Sequence, residues 1–216
     1  MNIYLLSGLG ADHRVFSKLS FPKEYKINNI EWISPLKKEA LSDYAKRLMS
    51  QIDYSNPFIL IGVSFGGIIA VELCKLIKPE QVILISSVWN SKQIPWYYTF
   101  LGKLKLHQFI PSSILKSANF LTYWFFGAEN KDQKNLLKKI LVDTDSKFLK
   151  WAISKIITWN NNMNPENLLH LHGLKDKILP ISCIKADYEI KNGGHLMVYV
   201  QHKEVSEILF NKLKGH

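Results

Sequence analysis

Six short apolar runs along the chain predict buried strands, and amphipathic stretches between them predict helices. The strands are expected at residues 2–7, 26–32, 57–63, 81–87, 167–172 and 185–190. The helices between them are expected at residues 12–20, 39–52 and 65–77. This alternation of strand and helix predicts an α/β fold, with a mostly parallel sheet of about six strands and helices on both faces.

The alternation is interrupted between residues 93 and 164, where aromatic residues and lysines are interleaved and breaks occur near Pro111 and Gly127. This segment predicts a helical insertion into the sheet domain. Residues 1–92 and 165–216 would form the core of a single domain that spans residues 1–216. The length of 216 residues is enough for one domain with a sizeable core.

The sequence Gly-Val-Ser-Phe-Gly at residues 62–66 follows the apolar run Phe58–Ile61 and precedes a helical stretch. A serine on such a sharp strand-to-helix turn projects from the carboxyl end of the sheet and can attack a carbonyl group. Gly62 and Gly66 are expected because a side chain at either position would collide with a neighbouring element. Ser64 is therefore a candidate nucleophile.

Two further candidates follow strands later in the chain. Asp176 lies in a loop after the strand at 167–172, and His195 follows the strand at 185–190. A serine hydroxyl needs a base to take its proton, and a carboxylate that orients the base stabilises the imidazolium. Because parallel strands end at one edge of the sheet, we expect Ser64, Asp176 and His195 to meet there as a catalytic triad.

An oxyanion formed at the attacked carbonyl needs backbone N–H donors. The N–H of Phe65, directly after the nucleophile, is one candidate. The Gly-rich loop Ser7–Asp12, which follows the first strand, offers the N–H of Leu9 as the second. This loop also imitates a dinucleotide fingerprint, but His13 stands where the third glycine would be, so no cofactor is expected.

These segments together resemble the α/β-hydrolase-fold family, in particular small carboxylesterase-like serine hydrolases with a lid. The resemblance rests on the Ser-Gly-Leu-Gly loop, the Gly-Val-Ser-Phe-Gly-Gly turn, the His-Gly-Leu-Lys-Asp loop and the Gly-Gly-His segment. It implies the same triad and the same two oxyanion donors. The chain begins on what would be the family's third strand, which predicts a shortened sheet of six strands.

The resemblance also implies that the insertion at 93–164 is a lid over Ser64. Its aromatic residues suggest an apolar substrate pocket, although most of them could instead pack the helices against the core. The candidate pocket residues are Trp89, Trp96, Phe100 and Trp124. Arg14, beside the oxyanion loop, would form a structural ion pair or contact a substrate carboxylate.

Composition narrows the possible partners. The formal net charge is +10, with 28 basic and 18 acidic residues, but the surplus is scattered lysine without the clustered arginine typical of nucleic-acid binding. No apolar run is long enough for a membrane span and no leader peptide is evident, so a cytoplasmic protein without stable membrane insertion is expected. His170 and His172 lack further clustered ligands, so no metal site is expected. Nothing in the sequence predicts an oligomeric state.

The sequence thus predicts a hydrolase that cleaves an ester or thioester of a small, fairly apolar molecule through an acyl-serine intermediate. The same fold and triad also serve acyltransferases and lyases, and a catalytically silent binding protein is a further alternative.

Overall fold

The six predicted strands form one open sheet in which every neighbouring pair is parallel. The computed structural model describes residues 1–104 and 111–214. The strands are β1 (Asn2–Leu6), β2 (Lys26–Asn29), β3 (Phe58–Val63), β4 (Gln81–Ile85), β5 (Leu168–Gly173) and β6 (Tyr188–Ile190). Their spatial order is β2-β1-β3-β4-β5-β6, which confirms the predicted fold class and the six strands.

The apolar run at Phe58–Val63 is unbroken because it forms the central strand β3. All six of its residues are buried, because helices cover both faces of the sheet. Its register pairs Leu6 of β1 with Gly62, and Val63 with Ile85 of β4. The carboxyl ends of β1, β3 and β4 therefore lie side by side at one edge of the sheet.

The described residues include nine α-helices. They are α1 (Leu41–Leu48), α2 (Phe65–Leu73), α3 (Trp96–Lys103), α4 (Ser112–Leu115), α5 (Phe120–Phe126), α6 (Lys131–Asp143), α7 (Ser146–Thr158), α8 (Met197–Val200) and α9 (His202–Leu213). The helix predicted at 12–20 is wrong in extent. The structure has a single 3₁₀ turn there, His13–Phe16, because Val15, Phe16 and Ser17 favour helix only weakly.

Two hydrophobic cores lie on the two faces of the sheet. One packs β-strand side chains such as Ile61 and Ile83 against α8 and α9. The other packs the alternate side chains, including Leu60 and Leu84, against α1 and α2. This division follows from the strand geometry, since successive side chains point to opposite faces.

Helices α3–α7 lie between β4 and β5. Residues 105–110 of this segment lie outside the described residues. Helix α6 joins the first core through Leu137 and Ile140, whereas α7 joins the second through Phe148 and Ala152. Within the described ranges, no helix combines the length and the apolar character needed to cross a bilayer.

Candidate active site

Ser64 lies on the turn between β3 and α2 with φ +51° and ψ −117°, a backbone conformation that side-chain-bearing residues rarely adopt. Two close approaches make this turn possible. A Cβ atom on Gly62 would lie 2.5 Å from Cα of Gly67, and one on Gly66 would overlap the carbonyl oxygen of Leu6. Glycine at these positions lets the strand, the turn and the helix approach closely, so that the Ser64 hydroxyl stands at the sheet edge.

The structure brings Ser64, His195 and Asp176 into one hydrogen-bonded row. Nε2 of His195 lies 2.9 Å from Oγ of Ser64, and Nδ1 of His195 lies 2.8 Å from Oδ2 of Asp176. The other carboxylate oxygen of Asp176 accepts the backbone N–H groups of Ile178 and Leu179 at 2.9 and 2.8 Å. Asp176 is thus fixed by its own loop, and its free oxygen faces the imidazole.

Asp176 is buried, yet the carboxylate form is favoured. Burial alone would raise its pKa, but the adjacent His195 ring and the Leu179 N–H hold the pKa below its ordinary value. The carboxylate is therefore ionised at neutral pH. A charge in this position stabilises an imidazolium and keeps the Nδ1 proton on the side facing Asp176.

A second imidazole, that of His172, which was not expected from the sequence to bind a metal, adjoins the same carboxylate. His172 on β5 is fully buried, and its Nε2 lies 2.8 Å from the carbonyl oxygen of Leu179 and 3.5 Å from Oδ2 of Asp176. Burial lowers the pKa of His172, so the ring is neutral and Nε2 donates to the carbonyl. This bond supports the loop that carries Asp176.

The two predicted oxyanion donors flank Ser64. The loop containing Leu9 lies against the nucleophile, since a Cβ atom on Gly8 would contact Cβ of Ser64 at 3.5 Å. Phe65 is the first residue of α2, where N–H groups have no helical partner. Across residues 1–104 and 111–214, neither the N–H of Leu9 nor that of Phe65 donates a hydrogen bond to another protein group. Both are free to bind a ligand oxygen.

Two apolar cavities adjoin Ser64. The smaller, of about 190 Å³, extends towards α2 and α3 and is lined by residues such as Ile68 and Tyr98. The larger, of about 240 Å³, extends towards α5 and α6 and is bordered by His195. The cavities share the residues Leu9, Ser64, Ile153, Ile156 and Ile178. Among the described residues, no Asp, Glu, Lys or Arg side chain lines either cavity.

The four candidate pocket residues are not among the described residues that line these cavities. Trp89 packs at the edge of the second core, and Trp96, Phe100 and Trp124 are 75%, 53% and 48% exposed. The lining is mostly aliphatic, and α7 contributes Ile153 and Ile156 to both cavities. The signal that sequence reasoning missed is the pair Ile153 and Ile156, which stand three residues apart and so share one face of that helix.

Arg14 forms ion pairs within the protein. Its guanidinium lies 2.7 Å from Asp12, next to the oxyanion loop, and 2.7 Å from Asp143 at the end of α6. Hydrogen bonding to Asp12 and Asp143 raises the pKa of Arg14 above its ordinary value. Arg14 therefore joins the oxyanion loop to the insertion, which corresponds to the structural alternative considered for it.

Comparison with solved structures identifies the architecture. A hydrolase from Oleispira antarctica is 14% identical with a TM-score of 0.71 and matches 100% of this chain and 91% of its own. The chain has the α/β-hydrolase fold. An esterase from Exiguobacterium antarcticum is 15% identical with a TM-score of 0.71, covering 99% of this chain and 92% of its own. A thermophilic esterase from Thermogutta terrifontis is 12% identical with a TM-score of 0.70, and the match covers 100% of this chain and 90% of the esterase.

No protein-family model matches the chain, and no curated protein matches its sequence. At identities of this level the likeness establishes the α/β-hydrolase fold and leaves the reaction to be argued from the site itself.

Proposed function

We propose that this protein is a serine hydrolase that cleaves carboxylic esters or thioesters through an acyl-serine intermediate. The observation that carries the proposal is the continuous row Ser64–His195–Asp176, with 2.9 and 2.8 Å between successive polar atoms. A nucleophile within reach of a base, and a base oriented by a buried carboxylate, is the arrangement that activates a serine hydroxyl.

In the first half of the proposed reaction, Oγ of Ser64 attacks the carbonyl carbon of the substrate while Nε2 of His195 takes the hydroxyl proton. The carbonyl oxygen becomes an oxyanion held by the N–H groups of Leu9 and Phe65. Asp176 stabilises the imidazolium that has formed. His195 then gives its proton to the departing alcohol or thiol, and the acyl group remains on Ser64.

In the second half, water replaces the alcohol. His195 takes a proton from the water as its oxygen attacks the acyl carbon, and the same N–H groups hold the second oxyanion. The bond to Oγ of Ser64 then breaks as His195 returns the proton to that oxygen. The products are the free acid and the original enzyme.

The cavities suggest the class of substrate. Apolar walls on both sides of Ser64, without charged side chains among the described residues, favour small uncharged molecules with apolar groups. Helices α6 and α7 supply Leu137, Ile140, Ile153 and Ile156 to these walls. We therefore propose that the insertion at 93–164 acts as a lid on a single domain whose core is 1–92 and 165–216.

Reaction with a fluorophosphonate tests the activated serine directly. We expect one covalent adduct in the intact mass of the wild-type protein and none in Ser64→Ala. Ser50→Ala, which removes an exposed hydroxyl on another part of the surface, is the matched control and should label as the wild type does. A folded wild-type protein that gains no adduct would refute the proposal and favour the binding-protein alternative.

Product analysis then separates hydrolysis from the related reactions. With p-nitrophenyl esters of graded acyl length, hydrolysis gives free acid and p-nitrophenol, and Ser64→Ala should lower turnover by roughly a thousandfold or more. An acyl group transferred to an added alcohol in preference to water would instead indicate an acyltransferase.

A further inference from the structure

The outer surface of α3–α5 exposes large apolar side chains in unusual density. Phe120 is 77% exposed, Trp96 75%, Ile114 62% and Leu121 60%. Phe100 and Trp124 add two further half-exposed aromatic rings. We call these six side chains, four of which are aromatic, the aromatic rim. Single exposed apolar residues are ordinary on a protein surface, but a concentration within three short helices is typical of an interaction site.

The three helices that carry the rim also border the candidate active site. Tyr98 of α3 lines the smaller cavity, while Leu115 of α4 and Thr122 and Phe126 of α5 line the larger one. Each helix thus has one side towards Ser64 and another towards solvent. Beside Trp124, Nζ of Lys177 lies 4.1 Å from the ring centre and donates to the Trp124 carbonyl. Since Lys177 directly follows Asp176, this contact places Trp124 of the rim beside the loop that carries the triad carboxylate.

The charged side chains in the segment that contains α3–α5 are all positive. Residues 81–128 contain four lysines and neither aspartate nor glutamate, in a chain whose formal net charge is +10. Lys103 at the end of α3 and Lys116 just after α4 belong to this set. Lysines in the same segment as exposed tryptophan and phenylalanine fit an anionic bilayer, since the rings favour the headgroup level and the ammonium groups attract acidic lipids.

We propose that the aromatic rim binds the surface of an anionic lipid bilayer, with α3–α5 in the headgroup region and the approach to Ser64 facing the lipid. Attachment of this kind is peripheral and needs no membrane-spanning segment. A second copy of the chain fits the surface less well. Face-to-face pairing would bring the lysines of one copy against those of the other, without acidic residues from the same region to compensate.

Vesicle sedimentation with the full-length protein tests the proposal. We expect the protein to sediment with phosphatidylcholine vesicles that contain phosphatidylglycerol, and far less with pure phosphatidylcholine vesicles. The double variant Phe120→Ser/Trp124→Ser should bind roughly tenfold more weakly or worse. Lys103→Gln and Lys116→Gln should each weaken binding about fivefold at low salt, and raised salt should weaken the wild type.

The matched control is Leu36→Ser/Phe210→Ser, which removes two exposed apolar side chains elsewhere, including a ring with a lysine, Lys214, at 4.2 Å. This control should bind as the wild type does, and thermal unfolding should show that every variant is folded. Equal loss of binding in the control, or no sedimentation of the wild type with anionic vesicles, would overturn the proposal. A dimer in light scattering that only the rim variant disrupts, without vesicle binding, would overturn it in favour of self-association.

Discussion

His170 should make the stability of this protein depend on pH between neutrality and mild acid. The ring stands on β5 with 1% of the residue exposed, and neither ring nitrogen has a hydrogen-bond partner among the described residues. Burial, with the His172 ring centre 5.4 Å away, lowers the pKa of His170 to about 3. The nearby backbone of Ser87 and Lys185 opposes the shift but is outweighed.

The direction and size of this pH dependence follow from how readily His170 binds a proton in the folded and the unfolded chain. The unfolded chain takes up a proton on His170 as the pH falls below about 6.5, whereas the folded chain resists protonation down to pH of about 3. Acid therefore favours the unfolded state throughout this window. At pH 5, about 1.5 units below the ordinary histidine pKa, the contribution of His170 lowers the free energy of unfolding by about 2 kcal/mol relative to pH 8.

Urea unfolding at pH 8 and pH 5 measures this contribution when the wild type is compared with His170→Leu, which removes the ring and leaves no unpaired polar atom. Between pH 8 and pH 5, the unfolding free energy should fall by about 2 kcal/mol less in the variant than in the wild type. The urea midpoint of the variant should accordingly fall by about 1 M less. Exposed His13→Leu is the matched control and should follow the wild type. Equal pH dependence in His170→Leu and the wild type would refute the reasoning.

Three further substitutions test the site. Gly66→Ala should destabilise the protein by about 3 kcal/mol, because the new methyl group overlaps the Leu6 carbonyl; an unchanged melting temperature in calorimetry would contradict this. Asp176→Asn should lower kcat by roughly a thousandfold or more with the fold retained, since an amide favours the wrong imidazole tautomer; near-normal kcat would exclude the proposed role of the carboxylate. Ile153→Trp should raise KM for long acyl esters far more than for acetate esters, because Ile153 borders both cavities; equal effects on both would show that neither cavity holds the acyl chain.

The sheet was predictable because a buried parallel strand has a recognisable pattern in the amino-acid sequence. Burial on both faces requires an unbroken apolar run, as in Phe58–Val63, and the strand bounds agree with prediction to within three residues. The turn at Ser64 was predictable for a similar reason, since only glycine fits at Gly62 and Gly66. The placement of Ser64, Asp176 and His195 after separate strands agrees with the hydrogen-bonded row found in the structure, while their catalytic roles stay a prediction.

The walls of the cavities were not predictable in the same way. An amphipathic helix reveals which of its sides is apolar, but not what that side faces. The tryptophans of the insertion suggested a pocket, yet Trp96 and Trp124 are largely exposed and Ile153 and Ile156 line the cavities. Isoleucines at helical spacing suit a core equally well, so only the three-dimensional arrangement distinguishes the two roles.

The attachment of α6 and α7 to opposite faces of the sheet limits how the site can open. Beyond their apolar contacts, α6 continues into Thr144, whose hydroxyl lies 2.8 Å from the Gly10 carbonyl, and α7 leads to Trp159, whose indole donates to buried Glu72 at 2.7 Å. A hinge motion of the whole insertion would pull α6 out of the first core and α7 out of the second, and it would break both hydrogen bonds. If the insertion acts as the proposed lid, we expect its movement to be confined to α3–α5, because displacement of these three short helices leaves both hydrogen bonds of α6 and α7 intact.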